Sequence, residues 1–165
     1  SFGNRKHNQH MHLAGTILMC ELGHDEVFSR VIRERLEDLQ CTLDAADENK
    51  KVHYKEQINR VSDWSAQFAI DHEMYIKSTE AVQTIRSNVF DDDLIEHSLV
   101  DLKTLWKKCP KSRHFIAMEF GYADTIVGCL KNADEGVILN ACLALDVLLT
   151  PLAGKDQKTL ENMID

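Results

Sequence analysis

The residues best equipped for chemistry crowd the start of the chain, where His7, His10 and His12 stand within the stretch HNQHMH. Spacings of three and two can bring imidazoles to one metal ion, because imidazole suits zinc, copper and nickel. No carboxylate or thiol completes the set nearby, so the stretch reads first as a polar tail that carries histidine. The segment DHEMY at 71–75 offers His72 and Glu73 but no second His four residues on, which sets it apart from a metalloprotease helix. Asp91, Asp92 and Asp93 lack the alternating ligands and the Gly of a calcium loop, and acidic residues ahead of a helix are favoured by its dipole. Neither a phosphate-cradling glycine loop nor a nucleophile elbow is present. These residues point to no enzyme, no cofactor and no metal site.

The most uneven charge feature is KTLWKKCPKSRH, residues 103–114, in a chain of net charge −8. Lys103, Lys107, Lys108, Lys111 and Arg113 stand there without an acid. They are the candidate partner-binding residues: they suit an acidic peptide or protein surface, with Trp106 as an aromatic anchor. The competing reading is structural, since cations near a helix C-terminus are favoured by the dipole and Trp106 continues an apolar helical pattern. A net charge of −8 gives no broad reason to bind nucleic acid. No run approaches 18 apolar residues, so no membrane span is expected. The five cysteines, at 20, 41, 109, 129 and 142, form no CxxC pair. Reduced thiols and a cytoplasmic location are the expectation.

Positioning these residues falls to helices. With seven Gly and two Pro among 165 residues, the composition leans towards an all-α fold. The polar opening SFGNRKHNQH has no period and is expected to be a disordered tail over 1–10. A short apolar helix, MHLAGTILMCEL, should end at Gly23, and Asp25 can cap the next. That helix carries Val27, Phe28, Val31, Ile32, Leu36, Leu39 and Leu43 at spacings of three and four. After DAADENKK, Tyr54, Ile58, Val61, Trp64, Ser65 and Phe68 line a second long helix, so the two should form an antiparallel hairpin. Ser78 or Thr79 can cap a short helix, TEAVQTIRS. LIEHSLVDLKTLWKKC follows and stops at Pro110, then SRHFIAMEFG stops at Gly121. YADTIVGCLKN and EGVILNACLALDVLLTP complete the pattern. Met11, Met19, Met74 and Met118 are expected as core filler.

Shifting LIEHSLVDLKTLW by 43 places it on VILNACLALDVLL, with Ile95 on Ile138, Ser98 on Ala141, Leu102 on Leu145 and Leu105 on Leu148. A shift of 45 sets Val82 on Val127 and Ile85 on Leu130. This period lies in the range of roughly 40–47 for armadillo and HEAT repeats. The stretch FGYADTIVGCLKNADEGVILNACLALDVLL resembles an armadillo repeat through Gly121, Ile126, Val127, Leu130, Asp134, Ala141, Ala144, Leu145 and Leu148. The resemblance covers about residues 76–165 and not the hairpin before them. It implies a right-handed α-solenoid: a disordered tail (1–10), an N-terminal helical cap (11–75), and about two armadillo-like repeats (76–165) continuing beyond residue 165.

The function this resemblance implies is a non-catalytic protein–protein interaction scaffold, the N-terminal part of a larger armadillo-type protein, with homotypic dimerisation or assembly as the alternative and an enzyme or metal-binding protein as the remote one. The long helices of such repeats line a groove for extended peptides. Nuclear-import adaptors of the family hold peptides with Trp and Asn, whereas the matching positions here are Leu143 and Val147, and Val100 and Thr104 before them. Val cannot hydrogen-bond a peptide backbone through its side chain, so this departure argues against that mode of capture.

Overall fold

The computed structural model describes residues 2–110 and 112–150, with side chains from residue 11 onward. Among these residues are seven helices and no strand: α1 (Phe2–Glu21), α2 (Asp25–Ala45), α3 (Glu48–Ser87), α4 (Asp92–Lys108), α5 (Arg113–Glu119), α6 (Tyr122–Cys129) and α7 (Glu135–Leu149). The all-α class has a simple origin in the absence of Gly and Pro, the two poorest helix formers, from 24 to 109. Contacts divide the chain into two compact units, Ser1–Glu73 and Met74–Asp165. Residues 2–10, expected as part of a disordered tail, instead form the start of α1, and their side chains lie outside the described residues.

In the first unit, Leu13, Thr16 and Ile17 form the buried face of α1, and the Thr16 hydroxyl is occupied by the His12 carbonyl at 3.0 Å. Gly23 turns the chain into α2 with φ of +70°, a left-handed conformation that glycine adopts without penalty. Asp25 does not cap α2, contrary to expectation. His24 occupies the cap position without a side-chain bond, and Asp25 is the first helical residue. Its carboxylate instead meets His72 Nε2 at 2.7 Å.

The hairpin of α2 with the first part of α3 is antiparallel. Asp25 meets His72, Phe28 meets Phe68 at 4.9 Å between ring centroids, and Cys41 and Thr42 share a surface hollow with Tyr54. As numbers rise along α2 they fall along α3. The buried stripe of α2 is narrower than its periodicity suggests: Ile32 and Leu39 are buried, while Val27 and Val31 are exposed.

In the second unit the core is dense. Val82, Leu99, Leu102, Trp106, Ile116, Ile126, Val137, Ala141 and Ala144 are all wholly buried. Burying one large aliphatic side chain stabilises by about 1.5–3 kcal/mol, so this cluster dominates the unit's stability. The expected break before a short helix at 78 does not occur, because α3 runs on to Ser87. Ser78 and Thr79 sit inside the helix instead of capping it, and their side chains find partners on α4 and α6. Trp106 Nε1 donates to Ser78 Oγ at 3.1 Å, and Thr79 Oγ1 shares a hydrogen bond with the Tyr122 hydroxyl at 2.6 Å.

The remaining helix ends follow the sequence closely. Asp91 accepts from the Leu94 N–H and Asp134 from the Val137 N–H, so each aspartate caps its helix through an otherwise orphaned donor. Gly121 sits at φ +66° between α5 and α6. Packing of α4 against α7, and of α6 against α7, builds most of the unit.

The caps of α4 and α7 repeat at 43 residues, Asp91 to Asp134, but the buried side chains repeat at 42. Ile95, Leu99, Leu102, Leu105 and Trp106 correspond in burial to Val137, Ala141, Ala144, Val147 and Leu148. One residue is a turn of roughly 100° about a helix axis, so the two helices present faces rotated relative to their caps. The small side chains Ala141 and Ala144 face inward on α7, where α4 turns Leu99 and Leu102 inward. The short-helix correspondence also differs, since Val82 and Ile85 are buried while Val127 and Leu130 are exposed.

Candidate functional site

The basic segment straddles the end of α4 and the start of α5, and the structure divides its residues. Lys107 and Lys108 are exposed in the last turn of α4, where the helix dipole favours them, and Lys103 is half-buried. Among the described residues none of these three makes an ion pair. Lys111 lies outside the described residues.

Arg113 corrects the expectation of a surface cation, for it is only 5% exposed. Its Nη1 donates to the Trp106 carbonyl at 3.3 Å and its Nη2 to the Thr150 carbonyl at 2.8 Å. Both acceptors lie at C-terminal helix ends, where carbonyls lack intrahelical partners and the dipole is negative. Burial pushes the guanidinium below its ordinary pKa, and it pushes the neighbouring His114 imidazole down as well, with the charge of Arg113 adding to that effect. Trp106, the proposed anchor, is wholly buried and belongs to the core.

The run EGVILNACLALDVLL is apolar nearly all round, which predicts that neighbouring helices bury both of its sides, but the structure leaves the outward side of α7 exposed. Cys142 and Leu143 stand three and four residues after Leu139, all three are exposed, and Leu149 extends the same side one turn beyond the acidic Asp146. The opposite side of the same helix carries Val137, Ala141, Ala144, Val147 and Leu148 into the core. A helix apolar on both sides leaves one apolar side in water unless something covers it. The groove positions of the repeat reading fall partly here: Leu143, Val100 and Thr104 are exposed, whereas Val147 is buried. Thr104 Oγ1 is engaged by the Val100 carbonyl at 2.9 Å.

No protein-family profile, curated protein or solved structure matches the chain.

The first unit holds a cavity of about 190 Å³ whose walls include His12, Gly15, Phe28, Trp64, Phe68 and Asp71. Trp64 Nε1 donates to His12 Nδ1, and Gln67 Nε2 donates to the buried Asp71 carboxylate at 2.9 Å. Beyond the cavity, the His72 ring lies against Phe68 at 5.7 Å, and Asp25 and Cys20 are close by. The hydrogen bond from His72 holds the Asp25 carboxyl below its usual range, ahead of all other influences. Burial raises the Cys20 thiol above its ordinary value, followed by the negative charges of Asp25 and Glu21. Sequence spacing gave no sign of this cluster, because His72 lies 47 residues from Asp25 and only the hairpin joins them.

The remaining sequence expectations divide. Among the described residues the cysteines at 20, 41, 109, 129 and 142 form no disulfide. Met74 is core, but Met11 and Met118 are largely exposed, so only part of the methionine set fills the interior. His12 is half-buried, while the side chains of His7 and His10 lie outside the described residues. Among the described residues no helix is long and apolar enough to cross a membrane.

Proposed function

We propose that the chain is a non-catalytic protein-interaction scaffold of the armadillo/HEAT-like kind. The observation that carries this reading is the exposed stripe Leu139, Cys142, Leu143 and Leu149, set on a helix whose other side is already anchored in a dense core. A rigid helix with a free apolar stripe is a ready surface for another protein, since its own fold need not rearrange to bind. Gly121 before α6 and Asp134 at the cap of α7 support the repeat reading locally. Lys103, Lys107 and Lys108 add positive charge at the end of α4, which suits a partner with an acidic segment. Five cysteines outside any disulfide fit a reducing compartment, so the cytoplasm is the location that goes with this function.

Homotypic pairing is the second reading, favoured by the same stripe, because an apolar surface can meet its own copy about a two-fold axis. Light scattering over a hundredfold concentration range separates the two. A dimer abolished by Leu139→Asp with Leu143→Asp assigns the stripe to self-association. A monomer throughout leads to affinity capture, purification of the captured protein, and titration with both components pure. The scaffold reading expects the Leu139→Asp, Leu143→Asp variant to weaken that binding at least tenfold, and Lys107→Glu with Lys108→Glu to weaken it further, at unchanged helicity. Equal affinity of all variants would overturn it.

A further inference from the structure

We propose that Cys20, Asp25 and His72 form a zinc-binding site in the first unit. One ligand atom from each residue, a thiol sulfur, a carboxylate oxygen and an imidazole nitrogen, lies within 4.8 Å of the other two. Three different segments supply them. Cys20 is in the last turn of α1, Asp25 opens α2 just past the Gly23 turn, and His72 faces them from α3. All three are half-buried, so bulk water is partly excluded while a path for the ion remains.

The donor set selects the metal. A thiolate disfavours magnesium and calcium, which take oxygen ligands, whereas mixed sulfur, nitrogen and oxygen coordination suits zinc. Zinc bonds of roughly 2.0–2.3 Å at tetrahedral angles place neighbouring ligand atoms roughly 3.3–3.6 Å apart. Asp25 Oδ2 and His72 Nε2 now stand 2.7 Å apart, so they must separate slightly while Cys20 closes in. Changes of about an ångström are within reach of side-chain rotation. Among the described residues no fourth side chain joins the set, and a water completes the tetrahedron. The bound ion ties the α1–α2 corner to α3 in the part of the molecule with the thinnest core.

The bland reading is a plain Asp25–His72 ion pair with a bystander thiol, and cobalt distinguishes the two. Cobalt(II) takes zinc sites, and a cysteine ligand shows as a thiolate-to-cobalt charge-transfer band together with intense visible bands when coordination is tetrahedral. The intact chain is titrated with cobalt and then zinc, beside Cys20→Ser, Asp25→Asn, His72→Gln and a His7→Ala, His10→Ala, His12→Ala variant, each checked for helicity. We expect the charge-transfer band at one equivalent in the wild type and in the triple histidine variant, with displacement by zinc. Cys20→Ser should lose the band, and the other two substitutions should weaken binding by more than the roughly tenfold to hundredfold typical of groups one step removed from a metal. Zinc should also raise the melting temperature of the wild type and not that of Cys20→Ser, a readout that holds even if a substitution loosens the fold. A missing band, a band retained in Cys20→Ser, or binding lost in the triple histidine variant would each overturn the assignment.

Discussion

The two units of the chain are built from helices of similar amphipathic period, yet they pack differently. In the second unit, Leu99, Leu102 and Trp106 of α4 are wholly buried, and the inward face of α7 offers Ala141 and Ala144. Large side chains on one helix meet small ones on its neighbour, which is how ridges enter grooves without voids. In the first unit, large residues oppose large residues. Phe28 meets Trp64 and Phe68 edge-on, Trp64 stays 45% exposed, and a cavity of about 190 Å³ remains beside Gly15. Apolar periodicity selects the face that turns inward, but the sizes on the opposing face decide how completely it is buried.

Truncation at the centre of each unit gives the largest expected contrast. Trp106→Ala removes a wholly buried ring and leaves the Ser78 hydroxyl without its donor, so it should cost about 3–5 kcal/mol in urea unfolding. Trp64→Ala, at a half-exposed ring, should cost less than half as much. Equal losses would break the comparison. Arg113→Ala should come next, at about 2–3 kcal/mol, because it strands the Trp106 and Thr150 carbonyls at two helix ends. Arg113→Lys should recover only part of this, since an ammonium lacks the guanidinium fork.

The contrast also explains what the sequence made legible. Helix class, the Gly23 and Gly121 turns, the acids at 91–93 at the start of α4 and the hairpin all rest on local rules, in which one residue type acts within a few positions. The failures are tertiary. Ser78 looks like a cap in isolation, and only the indole of Trp106 gives it a reason to stay inside a helix. Asp25 has the chemistry of a cap but is taken by His72. Arg113 belongs by composition to a basic surface, yet two carbonyls at helix ends draw it inward. In each case a partner far along the chain outbids the local role, and periodicity carries no information about such partners.

A stabilising substitution sharpens the comparison from the other side. Gly15 lies inside α1 on the cavity wall, and a Cβ there meets nothing within 4 Å. Gly15→Ala should therefore stabilise the first unit by about 0.5–1 kcal/mol, through helix propensity alone or with a small gain from filling space. Calorimetry should show a rise in melting temperature confined to the transition that Trp64→Ala lowers. A fall would mean that the cavity is not open at Gly15.

The smallest effect concerns charge in the second unit, where a protonated Glu96 carboxyl can donate a hydrogen bond to Asp134. Asp134, Asp93 and Asp92 crowd Glu96, and its carboxyl is raised above the ordinary value, first by that hydrogen bond, then by desolvation, then by the neighbouring negative charges. Asp134 is lowered, first by the Val137 N–H that it caps and then by Glu96. A raised carboxyl contributes stability that is full below its unfolded pKa and is lost as pH rises through the folded value. The lowered Asp134 contributes above its own unfolded pKa and loses that as pH falls through its depressed value. The pair is therefore most favourable in the mildly acidic range, with Glu96 protonated and Asp134 ionised, and it works against the fold near neutrality. Glu96→Gln keeps a donor facing Asp134 at every pH. It should raise the melting temperature at pH 7, and the gain should fade towards pH 4. A gain of equal size at both pH values would show that Glu96 acts there by packing against Gly136 and not through its charge.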